Sequence, residues 1–357
     1  MRLGIIGLPS SGKTTIFNAL TGGRLPTGEV HAPGRVDVHT AVADVPDERV
    51  EALSALFHPR KTIHAKVTYA DIGGLRAAVG QEGLPGPLLN HLSQMEGFVH
   101  VVRAFDDPAI PHPSGPVDPG RDMAAMESEF LLNDMLAVER RLAKLVEERQ
   151  KVMRDRAIID REAALFERLQ QTLNASQPLR GLSLTAEEDR VLSGFGLLTR
   201  RPMLIVVNLA EGAAVPPLPA VGPKVQVLGL QGKLEMEIAQ MPPDEAAEFL
   251  REYGIAEPGR QAVLRASYDL LGLHSFFTVG EDEVRAWTLP RGATALEAAD
   301  TIHTDLARGF IRAEVIPHQE LLALGGLTEA RAVGKLRAEG KDYLVADGDI
   351  VHIKFNL

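Results

Sequence analysis

The chain has 357 residues, 45% of them hydrophobic and 24% charged, with a formal net charge of −10 and no cysteine. That length accommodates two or three globular domains, and the acidic surplus argues against a protein that coats nucleic acid by overall charge. The missing cysteines exclude disulfide partners, thiol nucleophiles and thiolate metal sites, and no apolar run reaches membrane-spanning length.

Met1 leads directly into a short apolar strand, Leu3–Ile6. No signal peptide is read there, and a cytoplasmic location with no membrane partner is expected. The strand runs into Gly7-Leu8-Pro9-Ser10-Ser11-Gly12-Lys13-Thr14, followed by Thr15 and an apolar helical stretch to Leu20. Strand, Gly-rich loop and helix is the setting of a phosphate-binding loop. Backbone N–H groups of such a loop converge on one point at a helix N-terminus, where the helix dipole adds positive potential. Gly7, Pro9, Ser10, Ser11, Gly12, Lys13, Thr14 and Thr15 are therefore expected to bind nucleotide. Lys13 would reach the β- and γ-phosphates, and the Thr14 hydroxyl would ligate Mg2+.

A second strand, Val67–Ala70, is expected to end at Asp71 of Asp71-Ile72-Gly73-Gly74. Asp71 is placed to hold the Mg2+ through water, and the Gly74 N–H to touch the γ-phosphate. The next residue, Leu75, cannot orient water as the glutamine of Ras-like GTPases does. A helix around Leu88–Met95 and a strand over Phe98–Val102 follow, then a proline-punctuated loop from Pro108 to Pro119.

Between about 123 and 196 the pattern becomes helical. Leu131, Met135, Val138, Leu142, Leu145 and Val152 form one apolar stripe, and Ile158, Leu165, Leu169 and Leu173 a shorter one. This predicts an antiparallel helical hairpin inserted into the α/β domain. From Arg140 to Arg161 it carries eight basic residues against four acidic ones, a candidate contact for an RNA backbone. The α/β pattern resumes with a strand over Met203–Val207, ending at Asn208-Leu209-Ala210-Glu211, and another over Val225–Leu228. Guanine readers carry NKxD at this point. Glu211 in place of Asp and Leu209 in place of Lys degrade that reader, while Asn208 still matches N7 and the 6-amino group of adenine. ATP is expected over GTP, with GTP as the alternative.

From residue 274 a small unit begins. Phe276–Val279 and Val284–Thr288 form a hairpin, Leu296–Asp300 a helix, and Ile311–Ile316, Tyr343–Val345 and Ile350–Phe355 further strands, a pattern that fits a β-grasp sheet. The expected fold class is α/β: a P-loop NTPase (G-protein-like) domain over 1–122 and 197–273, an inserted helical hairpin over 123–196, and a C-terminal β-grasp domain over 274–357.

Taken together, the phosphate loop, Asp71-Ile72-Gly73-Gly74-Leu75, Asn208–Glu211, the inserted hairpin and the C-terminal segment resemble the Obg-like ATPase (YchF) family over essentially the whole chain. The segments Phe277–Thr288, Ile302–Asp305, Arg308–Val315 and Glu339–Tyr343 look like that family's TGS domain. The resemblance implies a P-loop NTPase that prefers ATP and associates with ribosomes; the TGS domain and, from its charge, the basic hairpin are the candidate contacts. It also implies that His112, in a loop, takes over from the missing glutamine in positioning water. Three segments depart from the family pattern. Ser10, Ser11 and Thr14 vary the phosphate loop. Arg35 falls where a switch threonine belongs, with Thr40 five residues on. Gly80–Pro87 is shortened and carries two prolines. A nucleotide-gated binding module with negligible turnover is the alternative reading.

Overall fold

In the computed structural model, residues 1–27, 37–73, 84–151, 155–255 and 257–356 are described. The expectations for Gly74, Leu75, Arg35, Val152 and residues 80–83 therefore lie outside the described residues. In chain order the strands are β1 (Arg2–Ile6), β2 (Val38–Asp44), β3 (Lys61–Ile63), β4 (Lys66–Ile72), β5 (Gly97–Ala104) and β6 (Met203–Leu209). They continue with β7 (Val225–Leu230), β8 (Leu273–Thr278), β9 (Glu283–Pro290), β10 (Phe310–Pro317), β11 (Arg337–Glu339) and β12 (Asp349–Phe355). The first seven helices are α1 (Lys13–Thr21), α2 (Glu48–Phe57), α3 (Gly86–Ser93), α4 (Pro119–Gln150), α5 (Arg156–Asn174), α6 (Ala186–Leu192) and α7 (Gly232–Gln240).

Near-continuous apolar runs make β1, β5 and β6 suited to burial on both faces, as a parallel sheet requires. They are the inner strands of a six-stranded sheet in the order β2-β4-β1-β5-β6-β7, with β1 parallel to β4 and β5, and β6 parallel to β5 and β7. Ile6, Phe98, Val102 and Ile205 build one core layer with Leu88, Met126 and Phe130. Asp71 lies one residue inside β4 and not at its end. Gly86 and Pro87 open α3 instead of stiffening a loop, because proline at a first helical turn gives up an N–H that has no intrahelical partner anyway.

The helical insertion starts at Pro119, capped by Asp118, whose carboxylate accepts the Arg121 N–H. α4 and α5 bury Val138, Leu145, Leu165, Phe166, Leu169 and Leu173 in their own core. Ile158, expected in that stripe, is 41% exposed, and its neighbour Ile159 takes the buried position. A one-residue rotation of 100° separates the two, and only the helix start fixes which one faces inward.

Two compact units result: residues 1–41 with 68–263, and residues 42–67 with 264–357. The second unit thus begins about ten residues earlier than the sequence boundary and contains a segment that sequence assigned to the nucleotide domain. Its sheet runs β11-β10-β12-β8-β9-β3, with β8 antiparallel to β9, β12 parallel to β8, and β10 antiparallel to β12. The helix Ala295–Ile302 packs on it through Ala295, Ala298 and Ala299. This is a β-grasp arrangement with one added strand, β3, parallel to β9. The strand expected at Tyr343–Val345 is reduced to a single bridge, Leu344 to Thr294, and β11 supplies the edge instead.

Candidate functional site

The loop after β1 is shaped by two close approaches. At Gly7 a Cβ would collide with the Val101 carbonyl of β5, and at Gly12, with φ at +91°, with the side-chain amide of Asn208 on β6. Glycine is the residue that permits both. No side chain caps α1, and no acidic residue stands in its first turn, so its leading N–H groups are left for an anion.

Lys13 Nζ donates to the carbonyls of Gly7 at 3.1 Å and Leu8 at 3.0 Å, which folds the side chain across the loop it belongs to. Although Lys13 keeps part of its surface open, desolvation of its ammonium pushes the pKa down to about 8, partly offset by Asp71. The Thr14 hydroxyl donates to Asp71 Oδ2 at 2.7 Å. Asp71 is 5% exposed, and its other oxygen, Oδ1, is buried with no hydrogen-bond partner among the described residues. Ser11 Oγ is in the same condition. A hydroxyl beside a carboxylate with a spare oxygen is the hard-oxygen donor set that Mg2+ takes when phosphate and water complete its shell, so these residues fit the ion.

Asn208 is buried and tied on both sides. Its Nδ2 donates to the Ser11 carbonyl at 3.0 Å, and its Oδ1 accepts the Gly232 N–H at 3.2 Å. It therefore clamps the phosphate loop to the N-terminus of α7. One amide hydrogen and one lone pair remain for a base edge. Leu209 is half-buried and Glu211 exposed. Thr40 is exposed within β2.

Sequence reasoning missed three neighbours. Gln231 accepts the Gly212 N–H at 3.3 Å, which links the loops after β6 and β7. Gly232 has no room for a Cβ against Asn208 and Ile16. The run Gly229-Leu230-Gln231-Gly232 after an expected strand was the available signal. Arg103, fully buried, donates to the carbonyls of Phe105 at 3.0 Å and Ser10 at 3.5 Å; nothing in a strand's pattern marks an interior cation. On the same strand, burial and then the charges of Lys13 and Arg180 push His100 down to about 3, so it is neutral.

His112 is held away from solvent, its side chain 2% exposed. Its Nε2–H donates to Asp122 Oδ2 at 2.8 Å, and its Nδ1 accepts from the Ser114 N–H at 3.1 Å and from Arg121 Nη2 at 3.3 Å. The structure thus brings Lys13, Thr14, Asp71, Ser11 and Asn208 together and bonds His112 to the first turn of α4. On the hairpin, Arg141 pairs with Glu148 and Glu162, Arg149 with Asp160, and Lys151 with Glu147, so much of the basic run is neutralised locally. No helix among the described residues is long and apolar enough to cross a membrane.

Residues 2–139 match the family model described as 50S ribosome-binding GTPase, and residues 273–356 match that of the YchF GTPase C-terminal region, described as a protein of unknown function. The chain is 38% identical to the ribosome-binding ATPase YchF of Bacillus subtilis over 99% of both chains. It is 35% identical to Obg-like ATPase 1 of Oryza sativa subsp. japonica, over 100% of this chain and 92% of that one. The solved structure of the Schizosaccharomyces pombe YchF GTPase superposes with a TM-score of 0.82 at 29% identity, covering 99% of this chain and 97% of that one.

Proposed function

The chain belongs to the Obg-like ATPase (YchF) family, and from that premise we propose that it binds ATP with Mg2+, hydrolyses it slowly, and associates with ribosomes. One observation carries the nucleotide reading: Lys13, the Thr14 hydroxyl and the spare oxygen of Asp71 converge on the mouth of an uncapped helix. An arriving triphosphate would draw Lys13 Nζ off the Gly7 and Leu8 carbonyls. The loop N–H groups and α1 would hold the phosphate oxygens. Thr14 and Asp71 would hold Mg2+, which when bound neutralises charge on the β- and γ-oxygens. Asn208 would use its remaining hydrogen and lone pair on the adenine edge, with Leu209 and Glu211 setting the preference against guanine. Gly74 would sense the γ-phosphate, and His112 would position the attacking water.

Association with the ribosome rests on the names of the relatives, and the TGS domain and the hairpin are its proposed contacts. The alternative, a nucleotide-gated binding module with negligible turnover, draws on the absence of glutamine at Leu75 and on the occupied ring nitrogens of His112.

Titration of ATP and GTP against the purified protein, followed by turnover on the same sample, tests the reading. ATP is expected to bind more tightly, to turn over above background, and to lose turnover when Mg2+ is chelated or Lys13 is changed to Ala. Tighter GTP binding refutes the base assignment. Turnover that Lys13→Ala leaves unchanged refutes the enzyme.

A further inference from the structure

In the state described above, both ring nitrogens of His112 are already bonded within the protein. A histidine that orients or deprotonates water needs one ring nitrogen free to accept. In His112 neither is. Nδ1 already accepts from the Ser114 N–H and from Arg121, and Nε2 carries the proton given to Asp122. The Asp122 carboxylate is 3% exposed at its side chain, and its second oxygen, Oδ1, is taken by Arg121 Nε at 3.1 Å and Nη2 at 2.9 Å. Arg121 Nη1 also donates to the Ser114 carbonyl at 3.0 Å, so one guanidinium grips both the histidine's partner and the histidine's own loop.

An orienting dyad of the Asp–His kind is a different arrangement. There the carboxylate holds one nitrogen and the other faces the reacting group. Here the lone pair of the second nitrogen is already taken by a backbone N–H and a guanidinium, so it has none to accept a proton from water. We propose that Arg121 and Asp122, at the first turn of α4, form a latch that stores His112 in an inactive position and must release it before hydrolysis. The two residues act as holding groups on the histidine and not as catalytic residues. The sequence places them well for this. Asp118 caps the helix, so the Arg121 N–H is fixed and its side chain turns back toward the Pro111–Ser114 loop. The proposal rests on the reading of His112 as the water-positioning group, and its tests separate the two.

The first test is steady-state ATP turnover by the full chain carrying Asp122→Asn, which keeps the side chain's size and removes the charge that holds both partners. Loss of a charge-assisted bond to the stored ring is expected to raise kcat by about threefold or more, with KM nearly unchanged. The gain is expected to vanish in the double variant Asp122→Asn/His112→Ala. An unchanged kcat overturns the latch, and a reduced one makes Asp122 an orienting partner instead. Should Asp122→Asn fail to fold, Arg121→Met is read in the same way, with the same two outcomes against the proposal.

The second test does not depend on turnover. Nitrogen NMR of the histidine rings in the nucleotide-free protein is expected to show His112 neutral and protonated at Nε2. That signature is expected to shift on adding a non-hydrolysable ATP analogue with Mg2+, and to be shifted already in Asp122→Asn. A His112 signal that the analogue leaves in place overturns the latch. If the signal moves but His112→Ala leaves kcat unchanged, the ring is released by nucleotide but has no part in turnover, and both the water-positioning role and the latch on hydrolysis fall.

Discussion

Lys13 illustrates how a single residue carries opposed demands. Its ammonium is desolvated enough to sit at a pKa of about 8, and among the described residues it is stabilised by two carbonyls and the nearby Asp71 charge. Triphosphate would add several negative charges at that point and raise the pKa again. The sign follows from the two states. Below pH 8 the free protein already holds the proton and affinity is complete; above it, binding must take up a proton. ATP affinity is therefore expected to fall by up to about tenfold per pH unit above pH 8. Calorimetry in buffers of different ionisation enthalpy should find close to one proton taken up at pH 9 and almost none at pH 7. The phosphate-loop residues were legible because the motif is local: eight consecutive positions contain the whole anion nest. Arg103 and Gln231 were not, since their roles arise only where separate strands end side by side.

At the scale of elements, the hairpin shows what a periodic pattern can and cannot give. The stripe from Leu131 to Leu145 specified a long amphipathic helix, and α4 extends over 32 residues. Its partner was harder to phase, because Ile158 and Ile159 are chemically equivalent and only the cap at Asp155 sets the rotation. The packing between them centres on Phe166, fully buried with its ring 4.8 Å from Phe195. Phe166→Ala is expected to cost about 3–5 kcal/mol, the usual range for an emptied aromatic site. Hydrogen exchange should show the loss in α5 amides, with β1 and β5 little affected. Pairing within the hairpin also qualifies its basic character. Arg141, paired with Glu148 and the buried Glu162, is a structural cation whose pKa its hydrogen bond to Glu162 raises despite desolvation. Among the described residues of the run, Arg140, Lys144, Arg156 and Arg161 are exposed cations outside these pairs and are the candidates for an RNA contact.

At the scale of the whole molecule, the chain leaves the nucleotide unit after Ala41 and returns at Thr68, three residues before Asp71. Between these points it contributes α2 to the C-terminal unit and β3 to that unit's sheet. Arg49 anchors this excursion: it bonds Asp47 and reaches Asp347 at 2.9 Å, with its guanidinium over the Phe277 ring at 5.1 Å. Replacing Arg49 by Gln is expected to cost about 1–2 kcal/mol, since the pair is partly open to solvent. Exchange protection in Lys61–Ile63 should fall first. The sequence boundaries group residues 42–67 with the nucleotide domain, whereas their contacts group them with the C-terminal unit, and the difference has a physical reason. A three-residue edge strand has too short a pattern to read, and nothing local tells it which sheet it will join.

What the sequence determined by itself was everything encoded in contiguous chemistry: the phosphate loop between strand and helix, the order of α/β, helical and β-grasp segments, and the family they resemble. What only the tertiary structure decided was which groups meet. Asp71 finds Thr14, Asn208 spans from Ser11 to Gly232, and both ring nitrogens of His112 are bonded at the first turn of α4. Pattern and propensity act over a few residues, whereas hydrogen bonds and charges are satisfied by whatever folding brings within about 3 Å. That difference explains why nucleotide binding could be read from the chain, while the state of the histidine assigned to hydrolysis could not.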